Sequence, residues 1–157
     1  MNRGTREQPG QGRFVDDYLA YLLARASFEI SSQFHAEVRA SGLGVPEWRV
    51  LASLSGGEGL PVGELAALVL AQQPTVTKLV DRMAEAGLVR RDRSARDRRQ
   101  RLVRITPEGR RRVRGLLARA RRHEAMVLAS LSPADAAALK DILRRLIGTS
   151  TARVAER

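Results

Sequence analysis

Five side chains able to hydrogen-bond, Gln73, Thr75, Thr77, Lys78 and Arg82, recur along one side of the stretch 71–87, AQQPTVTKLVDRMAEAG. A few residues later the run 90–101, RRDRSARDRRQR, holds seven arginines and two aspartates. Residues of these types recognise rather than react. A guanidinium presents a planar fork that matches phosphate oxygens and guanine edges, and short polar side chains with a cation on an exposed helix can reach base edges in a groove. No nucleophile–base pair and no phosphate-cradling loop can be assembled, so no enzyme is expected. Cysteine is absent, which removes thiolate chemistry, disulfides and cysteine-ligated zinc together. His35 and His123 are the only histidines, and no carboxylate cluster stands at ligand spacing around either. Neither a metal nor another cofactor is therefore expected.

The totals agree with a recognition protein. With 157 residues the chain suits one domain with a real core, and 43% hydrophobic residues against 4% aromatic make that core aliphatic and helix-rich. Twenty-eight Lys and Arg against 17 Asp and Glu give a formal net charge of +11, which favours a polyanionic partner. All of these cations but Lys78 and Lys140 are arginine. Codon composition can also produce such a bias, so position rather than number carries the argument. No run nears the roughly 20 apolar residues that span a bilayer, and residues 1–12, MNRGTREQPGQG, lack the apolar centre of a signal peptide. A cytoplasmic protein with no membrane partner is expected.

The elements that must position the polar residues are legible from hydrophobic period. Residues 1–12 read as a mobile tail. Val15, Leu19, Leu22, Ala26, Ile30, Phe34 and Val38 then form one stripe along a long amphipathic helix that should stop near Ser41-Gly42. Pro46 opens a short helix carrying Trp48, Val50, Leu51 and Leu54, and the glycines of SGGEG end it. LPVGELAALVL gives a third helix with Leu65, Ala66 and either Leu68 or Val69 inward. In the fourth, Pro74 suits the first turn, Gly87 suits a left-handed end, and Val76, Leu79, Val80 and Met83 face the core.

Leu88-Val89 and the alternating Val103 and Ile105 flank the arginine run as two short strands, making it the tip of a β-hairpin. Thr106-Pro107-Glu108 and SPAD at 132–135 start two more helices, expected to run to about Ser130 and to Gly148. Short helices, a polar-faced helix and a charged hairpin read as a winged helix-turn-helix. The fold class is thus mainly α with a small β-wing. Residues 43–106 form the DNA-binding region, 13–42 and 107–148 the helical dimerisation region, and 149–157 a C-terminal tail. The terminal helices carry stripes too long for so small a core to cover, so they are expected to bury one another around a two-fold axis.

The order of elements, with VPEWRVLASL, LPVGELAALV, PTVTKLVDRMAEAGLVRR and DRRQRLVRITPEGR, resembles the MarR family of bacterial transcription regulators over residues 14–148. The most specific part is Asp97-Arg98-Arg99 leading into Ile105-Thr106 and Gly109, preceded by Thr77 and Asp81-Arg82. The resemblance implies that Thr75, Thr77, Lys78 and Arg82 meet the major groove with Gln73 at the helix entrance. It likewise places Arg96, Arg98 and Arg99 at the minor groove or its phosphates. A carboxylate is repelled by phosphate, so Asp97 is read as pairing with an arginine to fix the wing, and Asp81 likewise. One departure is Pro61, where the family usually carries a Ser or Thr cap, so the third helix should start less firmly.

The family resemblance also implies small aromatic or lipophilic acids bound between the dimer helices and the DNA-binding part. Tyr21, Arg25 and Trp48 are the candidate effector pocket, with ordinary core filling as the alternative for the aromatics. Arg110, Arg111 and Arg112 oppose the macrodipole at the start of their helix and are expected to be held by acidic side chains in preference to phosphate. His123 falls near the apolar stripe and reads as an interface or partly buried residue. The expected function is a homodimeric, sequence-specific regulator on a pseudo-palindromic double-stranded operator, most simply a repressor relieved by a small ligand. Its rival is a nonspecific architectural or protein-interaction module with no effector.

Overall fold

The first apolar stripe does not form one unbroken helix. In the computed structural model, which describes residues 12–93 and 100–155, it divides at Tyr18 into α1 (Phe14–Asp17) and α2 (Leu19–Ala40). Tyr18 adopts an extended backbone (ψ 110°). Two features favour the break. Asp16 turns back to accept the Arg13 N–H at 2.9 Å, and the rings of Phe14 and Tyr18 stack at 5.0 Å across the corner. The break also sets Asp16 and Asp17 just before the positive end of α2.

The next three helices follow closely on one another. α3 (Val45–Leu54) starts where Glu47 accepts the Gly44 N–H at 2.8 Å, and its final turn is closed by the Ser55 hydroxyl donating to the Leu51 carbonyl. β1 (Leu60–Pro61) leads directly into α4 (Val62–Val69), which has no side-chain cap at Pro61. Leu65, Ala66 and Val69 of α4 face inward, while Leu68 faces out. After a turn through left-handed Leu70 (φ 59°), α5 (Gln73–Glu85) buries Val76, Leu79, Val80 and Met83.

Gly87 at positive φ ends α5 and admits β2 (Val89–Arg93), which pairs antiparallel with β3 (Arg101–Ile105). β1 adds a third strand that the local pattern does not announce, giving the order β1-β3-β2. Pro61 lies opposite Leu102 on this edge strand, where a missing N–H is tolerated. The tip of the hairpin, with Arg96, Asp97, Arg98 and Arg99, lies outside the described residues, as do residues 1–11 of the expected tail.

α6 (Pro107–Leu128) begins on a joint that only glycine allows. The Thr106 hydroxyl accepts from Gly109 N–H at 3.0 Å and lies 2.6 Å from the Gly87 carbonyl, to which it donates. A Cβ at Gly109 would stand 2.2 Å from the Leu88 carbonyl oxygen. Arg112 ties the same helix to the Gly42 carbonyl at 3.3 Å, and Arg111 pairs with Glu108. α7 (Pro133–Ala155) is opened by Ser132, which accepts from the Asp135 N–H at 3.1 Å. It continues past the expected stop at Gly148. One interior glycine costs a helix about 1 kcal/mol, and no proline follows to end it.

Buried side chains concentrate where the end of α2, α3–α5, the sheet and the first half of α6 meet, from Phe34 through Leu51, Leu65, Val80 and Val103 to Leu116. Beyond that core the long helices are bare. No residue of α7 with a described side chain is buried, and Leu22 and Ile30 of α2 and Ile142 and Leu146 of α7 stay exposed.

Candidate nucleic-acid interface and effector cavity

The polar side of α5 faces outward because its apolar side is spent on the core. Gln73, Thr75, Lys78, Asp81 and Arg82 are exposed, and Thr77 is half-buried. The Thr77 hydroxyl donates to the Gln73 carbonyl at 2.9 Å, so toward a base it can only accept. Gln73 folds its side chain back over α4, where a Cβ added at Gly63 would meet its Oε1 at 3.4 Å. The outward donors of the helix are therefore chiefly Thr75, Lys78 and Arg82.

Beside α5 the two-stranded ribbon is knitted by ion pairs. Val89 and Arg91 share the face of Val103 and Ile105, which turns Arg91 over α5 to meet Asp81 at 2.7 Å. On the other face Arg90 and Arg104 stand directly opposite, a like-charge pair that would repel. Asp92 offsets this, reaching Arg90 at 3.1 Å and Arg104 at 3.2 Å. The period-two pattern held the signal for that pairing, since Arg90, Asp92 and Arg104 occupy one face, but residue order alone did not single out Asp92. Arg93 and Arg101 remain exposed where the ribbon leaves the described residues.

The three candidate effector residues do not converge within one chain. Trp48 packs edge-on against Phe34, centroids 5.2 Å apart, and lines a groove with Leu117, Ala120, Arg121 and Glu124. Tyr21 and Arg25 stand one turn apart on α2 and are not on that wall. A side-chain hydrogen bond to Tyr21 raises the Arg25 pKa above its ordinary value. His123 is buried, with its ring 5.7 Å from Phe34 and its Nε2 lacking a hydrogen-bond partner among the described residues.

A different cavity of about 530 Å³ opens between α2 and α3, walled by Ser27, Phe28, Ser31, His35, Arg39 and Arg49 among others. Sequence reading missed it, because Arg49, 10 positions after Arg39 and 14 after His35, joins that pair only through packing of α3 on α2. Burial, and then the charges of Arg49 and Arg39, lower the His35 pKa below its ordinary value. Among the described residues no group of three or more His, Cys, Asp or Glu is placed to hold a metal ion. No helix there is long and apolar enough to cross a membrane.

A helix, a turn, a second helix with its donors outward and a cationic β-ribbon packed beside it define a winged helix-turn-helix of the DNA-binding kind. A profile of the MarR family matches residues 41–100. Among solved structures the chain is 46% identical to a MarR family transcriptional regulator from Silicibacter pomeroyi DSS-3, over 88% of this chain and 98% of that one, with a TM-score of 0.77. The chain belongs to the MarR family.

Two other relatives bear on function. CouR from Rhodococcus jostii RHA1, solved bound to p-coumaroyl-CoA, is 25% identical over 86% of this chain and 95% of that one, with a TM-score of 0.76. The HTH-type transcriptional repressor IacR of Pseudomonas putida is 33% identical over 106 residues, which make up 67% of this chain and 64% of IacR. Across IacR and two further curated regulators the matched part spans 43–65% of their length.

Proposed function

We propose that this protein is a homodimeric regulator of transcription that binds a pseudo-palindromic double-stranded operator, represses from it, and leaves it when a small lipophilic or aromatic ligand binds. The observation that carries the reading is α5 itself: its apolar residues are consumed by the core, so Thr75, Lys78 and Arg82 are left outward beside an arginine-rich ribbon. In this reading Thr75, Thr77, Lys78 and Arg82 read bases, with Gln73 at the entrance, while Arg96, Arg98 and Arg99 follow the backbone and minor groove. The Arg91–Asp81 contact supports a wing-setting role for Asp81, and Asp97 is assigned a similar role at the tip.

Dimerisation is supported by the bare apolar faces of α2 and α7, and repression by the likeness to IacR. The ligand-bound CouR supports an effector, for which Tyr21, Arg25 and Trp48 remain the sequence-derived candidates. A transcription regulator needs no active site, and the relatives are regulators rather than enzymes.

The test is the ratio of affinities for the gene's own upstream DNA and for a scrambled duplex, at stated salt. A specific regulator gives a ratio of about 10³ or more. A ratio near one assigns the protein to nonspecific, architectural binding. Arg98→Ala should weaken both duplexes and flatten the salt slope by about 0.9 for each phosphate left without its cation. Lys78→Ala should change which sequences are preferred, costing about 1–3 kcal/mol at the base it reads.

A further inference from the structure

We propose that the N-terminal corner of a second copy, α1 with Tyr18, docks in the groove between α3 and α6, with its stacked rings over Trp48, Leu117 and Ala120 and its Asp17 carboxylate against Arg121. This rests on the dimer proposed above and adds the contact that each copy makes across it.

The groove has an apolar floor and a cationic rim. One hollow of about 220 Å³ is walled by Ser55, Arg110, Val113 and Arg114, a second of about 260 Å³ by Trp48, Ala120 and Arg121, and Leu117 belongs to both. Arg110, Arg114, Leu117 and Arg121 follow one side of α6 at helical spacing over about 16 Å. Arg111 pairs with Glu108 and Arg119 with Glu37, whereas Arg110, Arg114 and Arg121 have no ion-pair partner among the described residues. Glu124, on the same wall, is held by Lys140 at 2.9 Å. Cations gathered without a counter-charge favour an occupant of opposite sign. DNA at the wing is badly placed to supply it, since β3 leads from the wing tip to α6 and these arginines stand beyond its far end.

This chain carries a segment of the complementary kind. Of its one Trp, two Tyr and three Phe, Phe14 and Tyr18 are set on an open corner, 79% and 49% exposed. Asp16 and Asp17 lie between them in sequence, and nothing in α1 is buried. Asp16 is occupied with the Arg13 N–H, but Asp17 has no hydrogen-bond or ion-pair partner among the described residues. Two apolar rings beside a free carboxylate match an apolar floor rimmed by guanidinium groups.

Distance decides which copy supplies the corner. Phe34 packs on Trp48 at the groove, and α2 climbs about 22 Å from Leu19 to Phe34. A chain's own corner therefore stands at the far end of a rigid helix from its own groove. Leu19, Leu22, Leu23 and Ile30 leave α2 with an exposed apolar side. A two-fold axis crossing that side lays two copies of α2 antiparallel and brings each corner to the other copy's Phe34.

The absence of cysteine from the chain permits a direct test. Full-length Asp17→Cys and Arg121→Cys chains, one carrying a size tag, are mixed, allowed to exchange and treated with a short bis-maleimide. A linked pair of one tagged and one untagged chain is expected, and it should be missing when Glu64→Cys, exposed on α4, replaces Arg121→Cys. Sedimentation velocity then reads dimer strength, with circular dichroism confirming that each variant is folded. Phe14→Ala should weaken the dimer about tenfold or more. Asp17→Arg and Arg121→Glu should each weaken it about tenfold, and the two together should recover most of the loss. Asp17→Arg combined with Arg101→Glu, which has the same net charge, should recover nothing.

A dimer whose mixed chains stay unlinked, or in which the charge swap recovers nothing, overturns the proposal and leaves the groove to another occupant. So does a link that forms only within a single chain carrying both Asp17→Cys and Arg121→Cys. A wild type that stays monomeric overturns the dimer reading, and this contact with it.

Discussion

At the scale of single residues, His35 shows how the cavity's charge feeds back on the fold. Its pKa lies below the ordinary 6.5 because burial and then Arg49 and Arg39 disfavour the imidazolium. A depressed value means that the unfolded chain takes up the proton more readily than the folded one. Stability therefore falls as pH drops below 6.5 and is unaffected by this group well above it. Urea unfolding at pH 7.5 and 5.5 should show a larger loss for the wild type than for His35→Gln. Equal losses would place the acid sensitivity elsewhere. The polar face of α5 was legible in residue order because its opposite side is apolar at helical spacing. The contacts of Asp92 and Arg91 were not, since each depends on which strand or helix lies alongside.

At the scale of elements, the joint between ribbon and α6 and the turn before α5 make opposite demands on one residue each. Gly109 lets the backbone of α6 approach Leu88, and Gly109→Ala should cost about 2–3 kcal/mol in thermal or urea unfolding because the carbonyl has nowhere to retreat. Leu70 is the reverse case. A leucine held left-handed and 81% exposed gives up backbone energy without burying its side chain. Leu70→Gly should stabilise the fold by about 0.5–1 kcal/mol, and a loss of stability would show that the leucine has an unrecognised partner.

Both positions illustrate what local pattern reveals about elements. The helices from α3 to α6 follow from apolar period, capping residues and prolines. The two-residue strand β1 is too short to carry a period and is set by its pairing with β3. The break at Tyr18 turns on a local competition that the continuous apolar stripe conceals. The passage of α7 through Gly148 likewise reflects a small helix penalty where a stop was expected.

At the scale of the whole molecule, the core accounts for the DNA-binding part and leaves the arms uncovered. Ile142 and Leu146 are exposed on α7, so glutamate at both should separate the two copies, at about 2 kcal/mol or more for each side chain. Sedimentation velocity reads the dissociation, and operator binding should fall with it. Dimers that persist would place the interface on α2 and α6 instead. In the proposed dimer, arms that cover one another would also tie occupancy of the operator to the square of subunit abundance while most subunits are single. Halving the supply of protein in that regime would quarter the competent pairs, so a promoter under its control would switch across a narrow window of expression instead of fading in proportion.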